Sequence, residues 1–124
     1  MALPVSVKAF AVAGSLWSTT YSLTQYPGGP PIDLTGLVFE LVIRTSVNDT
    51  SDPPLVRVTS AGSTAQGSVT ITPLTGTVTV TLTPAATLAL GRSTWPYALW
   101  SNPDIETATT WVEGTFSTSL VAQP

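Results

Sequence analysis

The sequence predicts an all-β domain, an immunoglobulin-like antiparallel β-sandwich of about seven to nine short strands with one short helix near residues 84–90. Two observations predict this class. Nearly every segment alternates apolar and polar residues, as half-buried strands do. Eleven Pro and nine Gly separate these segments with turn-forming residues. The length of 124 residues fits one domain spanning 1–124. Because the chain has no cysteine, it lacks the Cys…Trp…Cys pattern of true immunoglobulin domains.

The first half of the chain contains three predicted strands. Residues 5–13 alternate small apolar and polar side chains, which favours a strand over a signal peptide. Residues 16–24 continue extended, and a Pro/Gly-rich turn follows them. Residues 37–45 form the clearest strand, in which Val38 and Val42 face away from the core. Two valines on an outer face indicate that this face is partly covered.

Three short strands are predicted in the middle of the chain, at 55–59, 69–72 and 77–83. In the last of them, valine and leucine alternate strictly with threonine. This pattern predicts a half-exposed strand whose outer face carries hydroxyl groups.

One helix is predicted from its capping residues. Thr83 can accept a hydrogen bond at the N-cap, and Pro84 suits the first helical position. Good helix formers follow up to residue 90, and Gly91 suits the position just after the helix. The helix is therefore short and is expected to cover one end of the sandwich.

The C-terminal third is predicted to hold two or three strands. In segment 93–100, Pro96 lies on the face opposite to three large apolar residues and indicates an edge strand or a bulge. The inward residues of this segment are Trp95, Tyr97 and Leu99. One or two strands follow at 105–120, with Gly114 as a predicted bulge. Segments 1–7 and 119–124 are expected to be extended arms that reach neighbouring molecules.

The composition disfavours catalysis. Only 9% of the residues are charged, against about 25% in an average soluble domain. The chain has no histidine or cysteine, so its 22 Thr and 13 Ser hydroxyls lack the usual activating base. We therefore expect no enzyme activity, no catalytic residues, no cofactor and no metal. A net charge of −3 argues against nucleic acid, and no apolar run reaches the ~20 residues of a membrane span.

Two acidic clusters contain carboxylates that could support chemistry. Asp104 and Glu106 lie close together in sequence and are candidates for a glycosidase pair of carboxylates, but a turn and a solvent-facing strand explain them more simply. The polar loop at 46–54 carries two carboxylates without a calcium-loop motif, so it reads as an exposed turn.

Trp100, Trp111, Val38 and Val42 are the candidate residues for contact with other proteins. Trp100 has the opposite parity to the inward residues of its strand, and Trp111 has the opposite parity to Val112. At least one of these two tryptophans is therefore expected to be exposed. An exposed aromatic side chain with few charges around it favours a protein contact, and carbohydrate stacking is the alternative.

An ordered set of residues resembles one known family. It resembles the small β-sandwich at the N-terminus of many fibre and upper-baseplate proteins of tailed bacteriophages. The similarity extends from about Gly14 to Leu120. The residues that carry it are Gly14-x-x-Trp17, Pro31-Ile32-Asp33-Leu34-Thr35-Gly36, Phe39, Ile43-Arg44, Leu82-Thr83-Pro84, the helix to Gly91, Trp95-x-Tyr97-x-Leu99 and Glu113-Gly114-x-Phe116.

The resemblance implies a virion structural protein, assembled in the cytoplasm of a bacterial host. It favours a small tail, baseplate, neck or fibre-attachment component that binds other virion proteins. A capsid decoration protein on the phage head is the first alternative, and a module that binds carbohydrate or a cell surface is the second. We expect a homo-oligomer, with a trimer favoured, that contacts neither nucleic acid nor membrane.

Overall fold

The computed structural model describes residues 5–26, 28–46, 48–49, 54–102 and 109–119. Within these residues it contains nine β-strands, one α-helix and one 3-10 turn, which confirms the predicted all-β class. The elements are β1 (Val5–Ser6), β2 (Ala9–Val12), β3 (Trp17–Ser22), β4 (Phe39–Ile43), β5 (Val56–Thr59), β6 (Gly67–Thr72), the 3-10 turn Pro73–Thr75, β7 (Thr77–Leu82), α1 (Pro84–Leu90), β8 (Ser93–Ser101) and β9 (Thr109–Ser119).

The strands form two sheets that enclose one core. The first sheet has the order β1-β9-β8-β4-β5, and β2 also pairs with β9. The second sheet has the order β3-β7-β6. The central strands β9-β8-β4-β5 follow the G-F-C-C′ order of immunoglobulin variable-type sheets, and β3-β7-β6 follows B-E-D. The most deeply buried side chains are Phe39, Phe116, Leu34, Leu41, Ile43, Leu82 and Leu99.

β1 and β2 together form one interrupted edge strand. Both run parallel to β9 in the same register, with Val5 opposite Val112 and Ala9 opposite Phe116. The expected arm at 1–7 is therefore wrong for residues 5–7, since Val5 and Ser6 are in the sheet and Val7 packs against the core. Of the expected arm at 119–124, the structure describes Ser119, which ends β9. Residues 1–4 and 120–124 lie outside the described residues.

The bulge in β9 lies at Trp111 and not at Gly114. Leu99 pairs with Val112, but the next residue of β8 pairs with Thr110, which leaves Trp111 as the extra residue. Gly114 keeps regular pairing and instead allows the backbone of Val7 to approach closely. A side chain at position 114 would overlap the Val7 carbonyl oxygen.

Pro96 lies in a central strand, so the predicted edge location is wrong. β8 has β9 on one side and β4 on the other. The strand tolerates the proline because the pairing with β4 ends there: the Arg44 N–H donates to the Pro96 carbonyl at 3.1 Å, and proline has no N–H to return.

The predicted helix is confirmed, and its capping follows the sequence. The Thr83 hydroxyl accepts a hydrogen bond from the Ala86 N–H at 3.3 Å, and Gly91 ends the helix with a φ of 63°. Thr87 is fully buried, donates to the Ser15 carbonyl at 2.8 Å and accepts from the Gly14 N–H at 3.1 Å. These bonds fix α1 against the turn between β2 and β3.

A chain of two tyrosines connects the sheets through the core. The Tyr21 hydroxyl donates to the Tyr97 hydroxyl at 3.4 Å, and the Tyr97 hydroxyl donates to the Val7 carbonyl at 2.7 Å. Burial raises the pKa of both phenols above the usual value of 10.0 because the phenolate would lose its hydration. In Tyr21, the hydrogen bond with Tyr97 raises the pKa further.

We expect the free energy of unfolding to fall as the pH rises above about 10. Above the pKa that tyrosine has in the unfolded chain, the unfolded chain loses phenol protons that the folded state still holds. Each further unit of pH therefore lowers the free energy of unfolding. Urea unfolding monitored by circular dichroism at a series of alkaline pH values would measure the slope. Tyr21→Phe should make this slope shallower, and an unchanged slope would contradict the assignment to the core phenols.

Candidate protein interface

The outer face of the first sheet contains a concavity of about 570 Å³. It lies over β9, β8 and β4, on the side of the sheet opposite to the core. Its lining residues are Ser6, Val42, Arg44, Ser46, Pro96, Tyr97, Ala98, Trp100, Thr110, Glu113, Gly114 and Thr115. The chain thus presents a groove on the outer face of this sheet.

The floor of this groove is apolar. Pro96, Ala98 and Trp100 alternate with the inward residues of β8 and therefore project to the outer face. Val42 lies opposite Ala98 on the neighbouring strand. Only 5% of the Val42 surface is exposed, although it lies outside the core cluster, so its neighbours on the outer face bury it. The central part of the groove is therefore a continuous apolar strip across two strands.

Charged side chains flank the apolar strip. Glu40 is 8% exposed and accepts a hydrogen bond from Nε of Arg57 at 3.0 Å, which forms an ion pair across β4 and β5. Arg44, which follows β4, and Glu113, in β9, also line the groove and lie on either side of β8. An apolar centre with charges at its margin is the arrangement found in protein–protein interfaces.

Two of the four predicted contact residues meet in the groove. Val42 and Trp100 both line it, on adjacent strands. Val38 is 38% exposed and precedes β4, where its N–H and carbonyl bond to Asn102 at 3.3 and 2.6 Å. Val38 therefore lies outside the groove, and its contact role remains a prediction.

Trp111 is placed differently from the prediction. Because it occupies the bulge, the alternation that assigned it to the outer face breaks at this residue. It is half-buried, packs against the core, and its indole N–H donates to the Ser101 hydroxyl at 2.9 Å. The parity argument gives the correct face for Trp100, whose strand is regular up to that point, and fails for Trp111. The expectation that at least one of the two tryptophans is exposed is wrong, because both are half-buried and the indole nitrogen of Trp100 is shielded from solvent.

Sequence reasoning missed two residues of the groove floor. Pro96 and Ala98 share the parity of Trp100, so the alternation could have grouped them on the same face. For Val42, the sequence predicts only that its face is partly covered, because Ala98, its partner on the neighbouring strand, is far away in the chain.

The outer face of the second sheet carries hydroxyl groups, as predicted for β7. Three rows of hydroxyl side chains cross β3, β7 and β6, and hydroxyl pairs in two of these rows are hydrogen-bonded at 3.2 and 3.0 Å. The rows are Ser18–Thr81–Ser68, Thr20–Thr79–Thr70 and Ser22–Thr77–Thr72. This face has hydrogen-bonding groups but no apolar anchor, so the groove on the first sheet is the better candidate for contact.

The acidic side chains that the structure describes do not gather into a candidate metal site. Among the described residues, no group of three or more acidic, His or Cys residues lies close enough to hold an ion. Asp49 accepts a hydrogen bond from the Thr45 hydroxyl at 2.8 Å, as expected of a turn. Residues 47 and 50–53 of the polar loop, with Asp52 among them, lie outside the described residues, as do Asp104 and Glu106. The helix α1 has seven residues, and no described helix meets the length and apolarity of a membrane span.

The comparisons with known proteins give no family for this chain. The sequence matches no protein-family model and none of the curated proteins with which it was compared.

Proposed function

We propose that the chain is a non-enzymatic structural protein of a bacteriophage virion, a small tail, baseplate, neck or fibre-attachment component. It binds other virion proteins through the groove on the first sheet and acts as a homo-oligomer. The ordered sequence features from Gly14 to Leu120 support the virion assignment by resemblance. A capsid decoration role is the alternative location for the same binding activity.

The observation that carries the binding role is the apolar strip formed by Val42, Ala98, Pro96 and Trp100. Val42 is buried and the other three residues are half-buried, and together they form the floor of a concavity outside the core, in a chain of which only 9% is charged. An apolar patch of this kind on a soluble domain typically marks a binding surface. Trp100 is the natural anchor, because tryptophan is enriched among residues that dominate interface energies.

Labelling of phage particles with an antibody against this protein tests the virion assignment. Label on the tail, baseplate or neck supports the proposal, and label over the faces of the head supports the decoration alternative. Particles without label, from cells that express the protein, would contradict both.

We expect Trp100→Ala to lower incorporation into particles strongly. The loss of an interface anchor costs about 2 kcal/mol or more, which corresponds to roughly 30-fold in affinity. The measurement is the amount of variant in purified particles relative to wild type, with circular dichroism to show that the domain still folds. Leu74→Ala is the matched control, because Leu74 is 77% exposed and follows β6 in the other sheet.

The same variant tests the carbohydrate alternative, which the position of Trp100 in a groove also favours. Normal incorporation of Trp100→Ala, together with loss of binding on a glycan array, would replace the structural role with carbohydrate binding.

A further inference from the structure

The two edges of the first sheet are treated differently by the fold. An edge strand exposes N–H and carbonyl groups that can pair with a strand from another molecule, unless the protein covers them. β5 forms one edge, and β1 with β2 forms the other.

The β5 edge is covered by a side chain. The Arg57 N–H donates to Oε1 of Gln66 at 3.0 Å, and Nε2 of Gln66 donates to the Leu55 carbonyl at 3.0 Å. The Gln66 amide thus occupies the donor and acceptor that a further strand would use. This edge is closed to pairing at its centre.

The β2 edge has no such cover among the described residues. The N–H groups of Val7 and Ala13 donate to β9 at 2.9 Å, so the alternation directs Ala9 and Ala11 toward β9 as well. The N–H and carbonyl of Phe10 then point away from the sheet. The Val12 carbonyl, which also points outward, accepts a hydrogen bond from the Ser15 N–H at 3.0 Å, within the following turn.

Exposed apolar side chains border this edge. Phe10 is 69% exposed and Leu16 is 65% exposed, and both line a shallow concavity of about 320 Å³ with Trp17. Between Val5 and Ala13, Lys8 is the one charged residue, and no proline interrupts the segment. Strands of this composition on an open edge are prone to pair with copies of themselves.

We propose that two copies of this chain pair through their β2 edges, antiparallel and across a twofold axis, with Phe10 opposite Phe10 of the second copy. This register satisfies the outward groups of Phe10 in both copies and brings the two exposed rings together. It also places each Lys8 opposite Val12, which avoids the like-charge contact of a register centred on Lys8.

A second copy is the favoured occupant because the edge complements itself. An edge that pairs with itself closes with two copies, whereas a trimer requires β2 to pair with a different edge. The opposite edge of the same sheet is occupied by Gln66. This dimer deepens the proposed assembly role and rests on that role for its biological meaning. The pairing itself needs no other protein and is expected of the purified chain.

Sedimentation equilibrium of the purified chain over a wide concentration range tests the pairing. We expect a monomer–dimer equilibrium, and Phe10→Pro should raise its dissociation constant at least tenfold, because proline removes the outward N–H and leaves the ladder from Ala9 and Ala11 to β9 intact. Phe10→Leu, which keeps the N–H and an apolar side chain, should still dimerise. Circular dichroism shows whether both variants fold. If Phe10→Pro does not fold, cross-linking of a Phe10→Cys variant decides.

Cysteine cross-linking tests the register. The chain has no native cysteine, so Phe10→Cys gives a single thiol. Directly opposite residues of a hydrogen-bonded antiparallel pair lie about 5.5 Å apart at Cα, within the roughly 4.4–6.8 Å that a disulfide spans. Phe10→Cys should oxidise to a covalent dimer much faster than Leu74→Cys, the exposed control in the second sheet.

A monomer at every concentration, together with equal cross-linking of the two cysteine variants, would overturn the pairing. That result would leave the virion assignment intact, since particle labelling tests it separately. Conversely, unlabelled particles would remove the virion assignment without affecting a dimer measured on the purified chain.

Discussion

Phe116→Ala is expected to lower the free energy of unfolding by about 3–5 kcal/mol. Phe116 is fully buried in β9, and its ring meets the edge of Trp17 at a centroid distance of 4.8 Å and that of Tyr97 at 6.2 Å. Removal of the ring leaves a cavity between residues from both sheets. Aromatic contacts of this geometry add to the loss of buried area.

Urea unfolding followed by tryptophan fluorescence measures this effect. Phe10→Ala is the matched control, because it removes the same ring from a position that is 69% exposed, and its effect on a monomeric sample should stay within about 0.5 kcal/mol. A similar loss of stability in both variants would show that Phe116 is not the centre of the packing between the sheets.

Gly114→Ala is expected to destabilise the fold by roughly 2–4 kcal/mol, unusually much for the addition of one methyl group. The new Cβ would overlap the Val7 carbonyl oxygen, which also accepts the Tyr97 hydroxyl at 2.7 Å. Because the atoms that the new Cβ would meet belong to the Val7 backbone, the strain is relieved only if the segment between β1 and β2 moves away from β9. The variant therefore weakens the edge strand and the hydrogen bond of Tyr97 together.

Hydrogen exchange measured by mass spectrometry locates the damage. Amides of β1 and β2 should exchange faster in Gly114→Ala, while those of β6 and β7 in the second sheet keep their protection. Gly62→Ala is the control, because a Cβ at position 62 meets no atom within 4 Å. Slow exchange retained in β2 of Gly114→Ala would contradict the close approach at Val7.

Elements set by local chemistry were predictable from the sequence. Helix α1 depends on Thr83, Pro84 and Gly91, which lie within one short segment, and it forms between the expected residues. Most strands were predicted for the same reason, since alternation within a strand reports which side chains face the core. The groove residue Trp100 was identified by this rule alone.

Features set by pairing between distant strands were not predictable in this way. The bulge at Trp111 depends on the register between β8 and β9, and a shift of one residue reverses the face to which a side chain belongs. The central position of Pro96 and the parallel pairing of β2 with β9 likewise depend on strand neighbours. Alternation gives the face of a residue but does not give its partner strand.

The parallel alignment of β1 and β2 with β9 has a mechanical consequence. Val5 lies opposite Val112 and Ser119 lies opposite Val12, so β1 begins and β9 ends at the two opposite ends of one ladder. A pulling force between the two ends would therefore load this ladder in shear and stretch its hydrogen bonds together instead of one after another.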